Sequence, residues 1–209
     1  MASEPVAVAV LAKAPIPGFA KTRLIPALGA DGAAALASRL IDHAVATACE
    51  AGVGPVTLGA APDETHEAFQ SLRARFDIAL ARQPDGDLGV RMLAALAAAN
   101  GPALIIGTDC PALTAVHLRA AAEVLRAGTD VVVCPAEDGG YVLIGARKAE
   151  PALFSAMPWS TAEVMDETRR RLKALGLTWQ EPVTLWDVDA PADLARLRKS
   201  GMGNLIPEK

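Results

Sequence analysis

Three cations lie close together in a short segment that is rich in proline and glycine. Lys13, Lys21 and Arg23 fall within eleven residues of an otherwise acidic chain. Cations beside the backbone N–H groups of a shaped loop form a cradle for phosphate oxygens. The spacing is not that of a P-loop, because Pro15 and Ala20 stand where that motif needs glycine. The alternative is an ordinary basic surface loop.

Acidic side chains follow two other apolar runs. Asp109 comes directly after the run 103–107, so we expect it at the carboxyl edge of a sheet, facing the basic loop. Asp187 and Asp189 are two residues apart and share one face if the segment is extended. One or two carboxylates with phosphate oxygens and water form the ligand set that Mg²⁺ prefers. The structural alternatives are that Asp109 caps the turn or helix that follows, and that Asp189 caps the helix opened by Pro191.

The segment Glu137–Tyr141 contains paired glycines after an apolar run. Gly139 and Gly140 allow positive φ, so the default interpretation is a hairpin turn into another strand. The functional alternative is a backbone that lies close to a ligand, with Asp138 binding substrate or acting as a base.

A second polar segment precedes the helical pattern Thr161–Leu175. Ser160 and Glu163 have the spacing of a capping box, which is nearly sufficient to explain them. A helix N-terminus also binds anions, so Ser160 or Thr161 could contact an acceptor. Trp159 could stack on a sugar or a base, although such a tryptophan is more often packed.

Apolar runs and Ala-rich helical patterns alternate along the chain and must position these groups. Most of the apolar runs are continuous, as in strands that helices cover on both faces. The predicted strands are Val6–Ala12, Pro55–Ala60, Phe76–Ala81, Ala103–Gly107, Asp130–Cys134, Tyr141–Gly145 and Pro182–Val188. The predicted helices are Gly32–Ala51, Asp63–Ala74, Leu88–Ala99, Ala115–Ala127, Thr161–Leu175 and Ala192–Lys199.

This alternation predicts an α/β fold of three layers, with a mostly parallel central sheet between helices. The turn after Cys134 predicts a small antiparallel excursion. With no repeat, linker or composition break, we expect one domain over residues 1–200 and a flexible tail over 201–209.

Composition excludes several classes of protein. The 209 residues carry 20 Lys and Arg against 24 Asp and Glu, a net charge of −4, which argues against binding to nucleic acid. Three cysteines without CxxC spacing argue against a disulfide scaffold and fit a reducing cytoplasm. The first apolar run is too short to span a bilayer and lacks a preceding basic region, so we expect neither a signal peptide nor a membrane span.

Five segments together resemble a bacterial family of GT-A-type transferases in the nucleotide-diphospho-sugar transferase superfamily. The family is glycosyltransferase-like and associated in places with arsenosugar biosynthesis. More distantly, the set is similar to the guanylyltransferases that act on phospholactate or the molybdenum cofactor. The segments are AKAPIPGFAKTRL, GTDCPAL, EDGGYVLIG, WST and DVDAPADL, in order from residue 12 to 194.

The resemblance implies a Rossmann-like GT-A fold and a role for each segment. Lys21, Asp109 and Asp138 would be catalytic, and Asp109 and Asp189 would hold Mg²⁺ or Mn²⁺, with Asp187 as the other possible second ligand. The implied nucleotide-binding residues are Lys13, Ala14, Pro15, Gly18, Lys21, Thr22, Arg23, Thr108 and Asp109. The implied acceptor-binding residues are Asp138, Gly139, Gly140, Tyr141, Trp159, Ser160 and Thr161.

Two reactions fit these residues. A glycosyltransferase would move a sugar from a nucleoside diphosphate to a small acceptor, and the resemblance favours this reaction. A nucleotidyltransferase would join a nucleoside triphosphate to a phosphorylated acceptor and release pyrophosphate. Segment GTDCPAL has one carboxylate where many GT-A glycosyltransferases have Asp-x-Asp, which keeps the second reaction open. A non-catalytic nucleotide-binding protein is the third possibility.

Overall fold

The computed structural model describes residues 4–207, and its seven strands form one sheet in the order β3-β2-β1-β4-β6-β5-β7. The strands are β1 Ala7–Lys13, β2 Val56–Ala61, β3 Ala79–Arg82, β4 Ala103–Ile106, β5 Val131–Pro135, β6 Tyr141–Ala146 and β7 Trp179–Gln180.

The sheet is mixed but mostly parallel. Strand β1 pairs in parallel with β2 and β4, β2 with β3, and β5 with β7. Strand β6 runs antiparallel to both β4 and β5, which confirms the predicted excursion after Cys134. Carboxyl ends of β1, β2, β3 and β4 therefore meet at one edge, where α/β proteins bind ligands.

The predicted strand over Pro182–Val188 is wrong. The structure has only an isolated bridge there, between Ala136 and Leu185, and the seventh strand lies earlier, at Trp179–Gln180. The chain leaves β5 after this bridge, because the Val188 N–H donates to the Asp109 carbonyl beyond β4. This departure brings the following carboxylates to the ligand-binding edge.

Helices cover both faces of the sheet and confirm the three-layer arrangement. The helices are α1 Ile25–Ala51, α2 Glu67–Arg75, α3 Leu88–Ala98, α4 Ala115–Arg126, α5 Pro151–Phe154, α6 Val164–Ala174 and α7 Pro191–Leu197. Helices α1, α2 and α4 pack on one face of the sheet and bury Val8 and Val10 of β1. Helices α3, α5 and α6 pack on the other face and cover Ala9, because successive side chains of a strand point to opposite faces.

The C-terminal segment is packed, contrary to the flexible tail that we predict from residue 201. Arg39 of α1 donates hydrogen bonds to the carbonyl oxygens of Asn204 and Ile206. Ile206 is buried with Leu197 and other side chains of a third apolar cluster. Burial of these side chains outweighs the chain entropy that the tail would keep if it were free. Residues 208 and 209 lie outside the described residues.

The long helix that includes α1, Thr22–Ala51, is apolar enough to cross a membrane by length and composition alone. This is weak evidence, because a core helix of a globular protein passes the same test. One side of α1, including Leu36, Leu40 and Val45, is buried in two of the apolar clusters.

We predict that Gly54→Ala lowers the free energy of unfolding by about 1–3 kcal/mol. A Cβ at position 54 would collide with the backbone of Val6, the residue just before β1. Backbone atoms cannot move aside as a side chain can. Urea denaturation measures the change. Gly107→Ala is the matched control, because its Cβ would meet no atom within 4 Å. Equal stability of the two variants would contradict the prediction.

Candidate functional site

A cleft of about 630 Å³ opens at the carboxyl ends of the strands. Its lining comes from the loop after β1, the end of β4, the β5–β6 turn, the loop before α6 and the segment before α7. These are the segments that we predict to carry chemistry. The fold therefore brings together side chains that are far apart in sequence, such as Lys21 and Asp189, which are separated by 168 positions.

The ammonium group of Lys21 joins three of these segments. Its Nζ lies 2.7 Å from Oδ1 of Asp109 and 2.8 Å from Oδ1 of Asp189, and it donates to the Val188 carbonyl at 2.6 Å. All three donors of the ammonium group are thus engaged. Only 9% of the Lys21 side chain is exposed. In this arrangement Lys21 organises the two carboxylates, rather than extending a free charge toward phosphate.

Local backbone geometry turns Lys21 inward. The residue has φ 48° and ψ 45°, in the left-handed region, and it precedes a 3₁₀ turn over Thr22–Leu24. Leu24 is fully buried and anchors this turn in the third apolar cluster. Left-handed backbone at a residue other than glycine costs about 1–2 kcal/mol, so the surrounding packing has to enforce it.

The pKa values of two groups reflect this concentration of charge. Burial lowers the pKa of Lys21, but the carboxylates of Asp109 and Asp189 outweigh burial and raise it above the usual range. Burial, together with the charges of Asp138, Asp189 and Asp109, raises the pKa of Asp187 to about 6. The cleft therefore carries more negative charge than Lys21 neutralises.

Neither Asp109 nor Asp189 is a helix cap, so the structural alternatives for both are wrong. The helix after Asp109 begins only at Ala115, with Thr114 at its N-cap. At the start of α7, the carboxylate of Asp193 accepts the N–H groups of Asp189 and Ala190. Asp193 satisfies these donors, which leaves the Asp189 carboxylate for Lys21.

The two carboxylates on Lys21 fit a site that phosphate would complete. Among residues 4–207 no three His, Cys, Asp or Glu side chains form a ready metal-binding group. Neither carboxylate uses its second oxygen for Lys21, although Oδ2 of Asp189 lies 4.0 Å from Nη1 of Arg23, and 47% of the Asp109 side chain and 38% of the Asp189 side chain are exposed. Two carboxylates with phosphate oxygens and water suit Mg²⁺ or Mn²⁺. The donor set therefore fits a metal that binds together with a nucleotide.

Segment Glu137–Tyr141 is a hairpin turn that also lines the cleft. The N–H of Gly139 donates to Ala136, and Asp138 accepts the N–H of Gly140 at 2.9 Å. Glu137 points elsewhere and forms a two-pronged ion pair with Arg196. The hairpin interpretation is confirmed, and the turn also places Asp138 and Tyr141 in the lining of the cleft, where a role of Asp138 toward substrate stays a prediction.

Gly139 fixes this turn against the loop before α6. Its φ is 93°, and a Cβ there would lie 2.7 Å from Cα of Ala162. Its carbonyl accepts the N–H of Met165 in the first turn of α6 at 2.8 Å. Gly139 is not among the residues that line the cleft, and its contribution is to hold the turn against the start of α6.

The predicted capping box of Ser160 and Glu163 is wrong. Ser160 has φ 66°, and the N-cap is Glu163, which has no side-chain capping bond. Thr161 instead accepts the Glu163 N–H at 3.3 Å and donates to the Pro158 carbonyl. The Gly139 carbonyl satisfies a helix N–H that a capping side chain would otherwise serve. Ser160 and Thr161 are left exposed at the cleft.

Two polar residues that line the cleft were missed at the level of sequence. Gln83 is 7% exposed and donates to the carbonyls of Ala12 and Gly59, and its oxygen lies 3.4 Å from Nη1 of Arg91. Arg91 also donates to the Gly86 carbonyl and forms no ion pair in the part of the chain described. Gln83 directly follows β3, so the strand-end rule was the signal that could have found it.

Most of the predicted site residues line the cleft, and four do not. Lys13 and Arg23 lie at its surface, and 74% of the Arg23 side chain is exposed. The predicted residues that line it are Lys13, Lys21, Thr22, Arg23, Thr108, Asp109, Asp138, Gly140, Tyr141, Trp159, Ser160, Thr161 and Asp189, with Asp187. Those outside the lining are Ala14, Pro15, Gly18 and Gly139.

Sequence comparison identifies a family. Residues 44–161 match the profile of a family described as "Uncharacterized protein conserved in bacteria (DUF2064)", which is more than half of the chain. None of the curated proteins searched matches the sequence.

Solved structures share the fold over nearly the whole chain. A candidate nucleotide-diphospho-sugar transferase from Desulfovibrio desulfuricans G20 is 25% identical, with a TM-score of 0.82 over 96% of this chain and 93% of that one. CMP:2-keto-3-deoxy-manno-octonic acid synthetase with CTP is 14% identical, with a TM-score of 0.62 over 96% and 100%. These likenesses confirm the GT-A, Rossmann-like fold.

A third structure holds a metal and a nucleotide. Glucosyl-3-phosphoglycerate synthase from Mycobacterium tuberculosis, in complex with Mn²⁺, uridine diphosphate and glucosyl-3-phosphoglycerate, is 11% identical, with a TM-score of 0.54 over 98% and 81%. The structural neighbours are thus nucleotide-diphospho-sugar transferases and nucleotidyltransferases.

We predict that Gly139→Ala destabilises the protein by about 1–3 kcal/mol more than Gly140→Ala. Position 139 combines positive φ with a collision at Ala162, whereas a Cβ at 140 meets only the movable Asp138 side chain, at 3.2 Å. Chemical denaturation measures both variants, and tryptophan emission reports whether the loop that carries Trp159 shifts. If Gly140→Ala costs as much, the close packing at Gly139 is unimportant.

Proposed function

Because the chain belongs to the DUF2064 family and shares its fold with nucleotide-dependent transferases, we propose that it is a metal-dependent glycosyltransferase of the cytoplasm. Its donor would be a nucleoside diphosphate sugar and its acceptor a small molecule with a hydroxyl group. One observation carries the proposal: three distant segments converge on Lys21, which holds Asp109 and Asp189 side by side beside exposed cations.

The cations at the cleft surface would bind the diphosphate. Lys13 and Arg23 lie on the loop after β1, and Arg91 faces the cleft from α3. Fixed positive groups stabilise the negative charge that grows on the departing diphosphate, and they need no reorganisation during the reaction. Lys21 would act indirectly, by holding the carboxylates in position.

Asp109 and Asp189 would hold Mg²⁺ or Mn²⁺, with Asp187 as the neighbouring carboxylate. When bound, the metal would neutralise charge on the diphosphate. Support comes from the donor set of two carboxylates in a cleft with an excess of negative charge: the second oxygen of Asp109 has no cation partner among the described residues, and that of Asp189 has only Arg23, at 4.0 Å.

Asp138 would accept the proton of the acceptor. The acceptor oxygen would form a bond to the anomeric carbon of the sugar, and the bond from that carbon to the diphosphate oxygen would break, with its electron pair leaving on the nucleoside diphosphate. The acceptor proton would pass to a carboxylate oxygen of Asp138. The turn supports this role, because Gly140 orients the Asp138 carboxylate at the cleft.

Nucleotidyl transfer is the second candidate. Only one carboxylate follows β4, and its partner Asp189 comes from the segment before α7. In that reaction a phosphorylated acceptor would attack the α-phosphate of a nucleoside triphosphate, and pyrophosphate would leave.

We predict that turnover releases free nucleoside diphosphate. The protein is incubated with Mn²⁺ and a panel of nucleoside diphosphate sugars, and separately with nucleoside triphosphates and hexose 1-phosphates, and the products are separated by ion exchange. Asp109→Asn serves as the inactive control. Pyrophosphate without diphosphate release would establish the second candidate, and binding without any turnover would indicate a non-catalytic nucleotide-binding protein.

We predict that Asp109→Asn and Asp189→Asn each weaken Mn²⁺-dependent nucleotide binding by about tenfold or more. An amide keeps the shape of the carboxylate but loses its charge. Calorimetric titration of nucleotide with and without Mn²⁺ measures the effect. Asp42→Asn is the control, because Asp42 pairs with Arg75 outside the lining of the cleft. Unchanged binding in both cleft variants would remove the metal assignment.

A further inference from the structure

One wall of the cleft is apolar and aromatic. Leu88, Met92, Tyr141, Trp159 and Val164 contribute to it, and none of these side chains carries a charge. Its core belongs to the cluster on the face of the sheet covered by α3 and α6. The carboxylates on Lys21 adjoin Val188 and Cys110, which belong to the other clusters. One continuous cleft thus has a charged part and an uncharged part.

Two aromatic hydrogen-bond donors in this wall lack a nitrogen or oxygen partner. Nε1 of Trp159 is buried without any hydrogen bond among the residues described. The hydroxyl of Tyr141 has only the Met92 sulfur, at 3.9 Å. The two rings pack edge to face, with centroids 6.4 Å apart at 83°. Buried donors without partners are rare in folded proteins. Trp159 Nε1 is enclosed by the protein, so the Tyr141 hydroxyl is the donor of this wall that a ligand oxygen could engage.

The loop that carries Trp159 is held firmly. Arg171, whose side chain is 13% exposed, donates to the carbonyls of Ser155 and Ala156 and to Glu167. Ala156 and Ser160 both have positive φ on either side of Trp159. Positive φ outside glycine persists only where neighbouring contacts enforce it.

Gly89 in α3 permits the close packing of the indole. A Cβ at position 89 would lie 3.0 Å from Cζ2 of Trp159 and 2.5 Å from the Phe154 carbonyl oxygen. The ring is therefore fixed from α3 on one side and from its own loop on the other. A fixed ring suits recognition of a flat apolar face.

We propose that this aromatic wall holds the sugar ring of the nucleoside diphosphate sugar. The inference rests on the proposed function, in which that sugar is the transferred group. A hexose has an apolar C–H face that packs on aromatic rings such as that of Trp159, and hydroxyl oxygens that accept hydrogen bonds from a group such as Tyr141 Oη. With the diphosphate at the cations, the uncharged part of the same molecule lies at the uncharged wall.

The test compares nucleoside diphosphates with their sugar conjugates. Calorimetric titrations with Mn²⁺ use the pairs UDP and UDP-glucose, GDP and GDP-mannose, and ADP and ADP-glucose, and the pair that binds the wild type most tightly is carried forward. We expect Trp159→Ala to weaken the sugar conjugate by about tenfold, with the diphosphate changed less than twofold. Trp159→Phe, which keeps a smaller aromatic ring, should give an intermediate loss.

Two further variants keep the test sharp. Leu88→Ala should weaken the sugar conjugate without threatening the fold, because 45% of Leu88 is exposed. Trp186→Phe is the matched control, since Trp186 packs on Arg196 and does not line the cleft. Thermal melting of each variant checks that it is folded.

The outcomes separate this inference from the proposed function. If Trp159→Ala weakens the diphosphate as much as its conjugate, the wall holds the nucleoside and the inference is overturned. If Trp159→Ala and Leu88→Ala change neither ligand, the transferred sugar lies elsewhere, and the inference fails while the proposed function stands. If the wild type binds no nucleotide, both fail together.

Discussion

The enclosed ammonium group of Lys21 is the constraint on which the site depends. An ammonium group that leaves water is costly unless charged and polar partners replace its hydration. Asp109, Asp189 and the Val188 carbonyl are those partners, and each belongs to a segment remote from Lys21 in sequence. Satisfying one cation therefore fixes the position of the loop after β1, the end of β4 and the segment before α7. The same contacts hold two carboxylates side by side, a donor pair that suits a divalent cation together with phosphate oxygens and water.

The sheet makes this convergence possible, and the charged and aromatic parts of the cleft are associated with its two different faces. The alanine and valine side chains of β1 let helices pack closely on both faces, and the parallel strands end at one edge. The charged part of the cleft lies near the end of β4 and the segment before α7. The aromatic part is built from α3, β6 and the loop before α6, on the other face. Gly139 ties the β5–β6 turn to that loop, so the acidic Asp138 is held between the two parts.

Patterns in the sequence predict the layers and the strand-end groups, because hydrophobic periodicity and burial are local properties of the chain. They predict Asp109 at the sheet edge for the same reason. They do not reveal that Lys21 turns inward, because its left-handed backbone and its partners are set by packing with distant segments. Ser160 and Glu163 have the spacing of a capping box. The first turn of α6 is instead capped from the β5–β6 turn, because the Gly139 carbonyl accepts the N–H of Met165. Likewise Pro182–Val188 has the composition of a strand. Its backbone hydrogen bonds are nevertheless isolated, because Leu185 bonds to the end of β5 and Val188 bonds to Asp109, so no continuous ladder forms.

The balance of charge in the cleft explains why a nucleotide would enter together with a cation. Asp109, Asp138, Asp187 and Asp189 face the cleft, and the charge of Lys21 is spent on two of them. A diphosphate would add further negative charge, whereas the other cations of the lining are Lys13, Arg91 and Arg23, of which Arg23 already lies 4.0 Å from Asp189. Their screened attraction at partly exposed positions is modest. A divalent ion held by Asp109 and Asp189 would supply the missing positive charge, and this electrostatic requirement is the physical basis of the metal dependence that we propose.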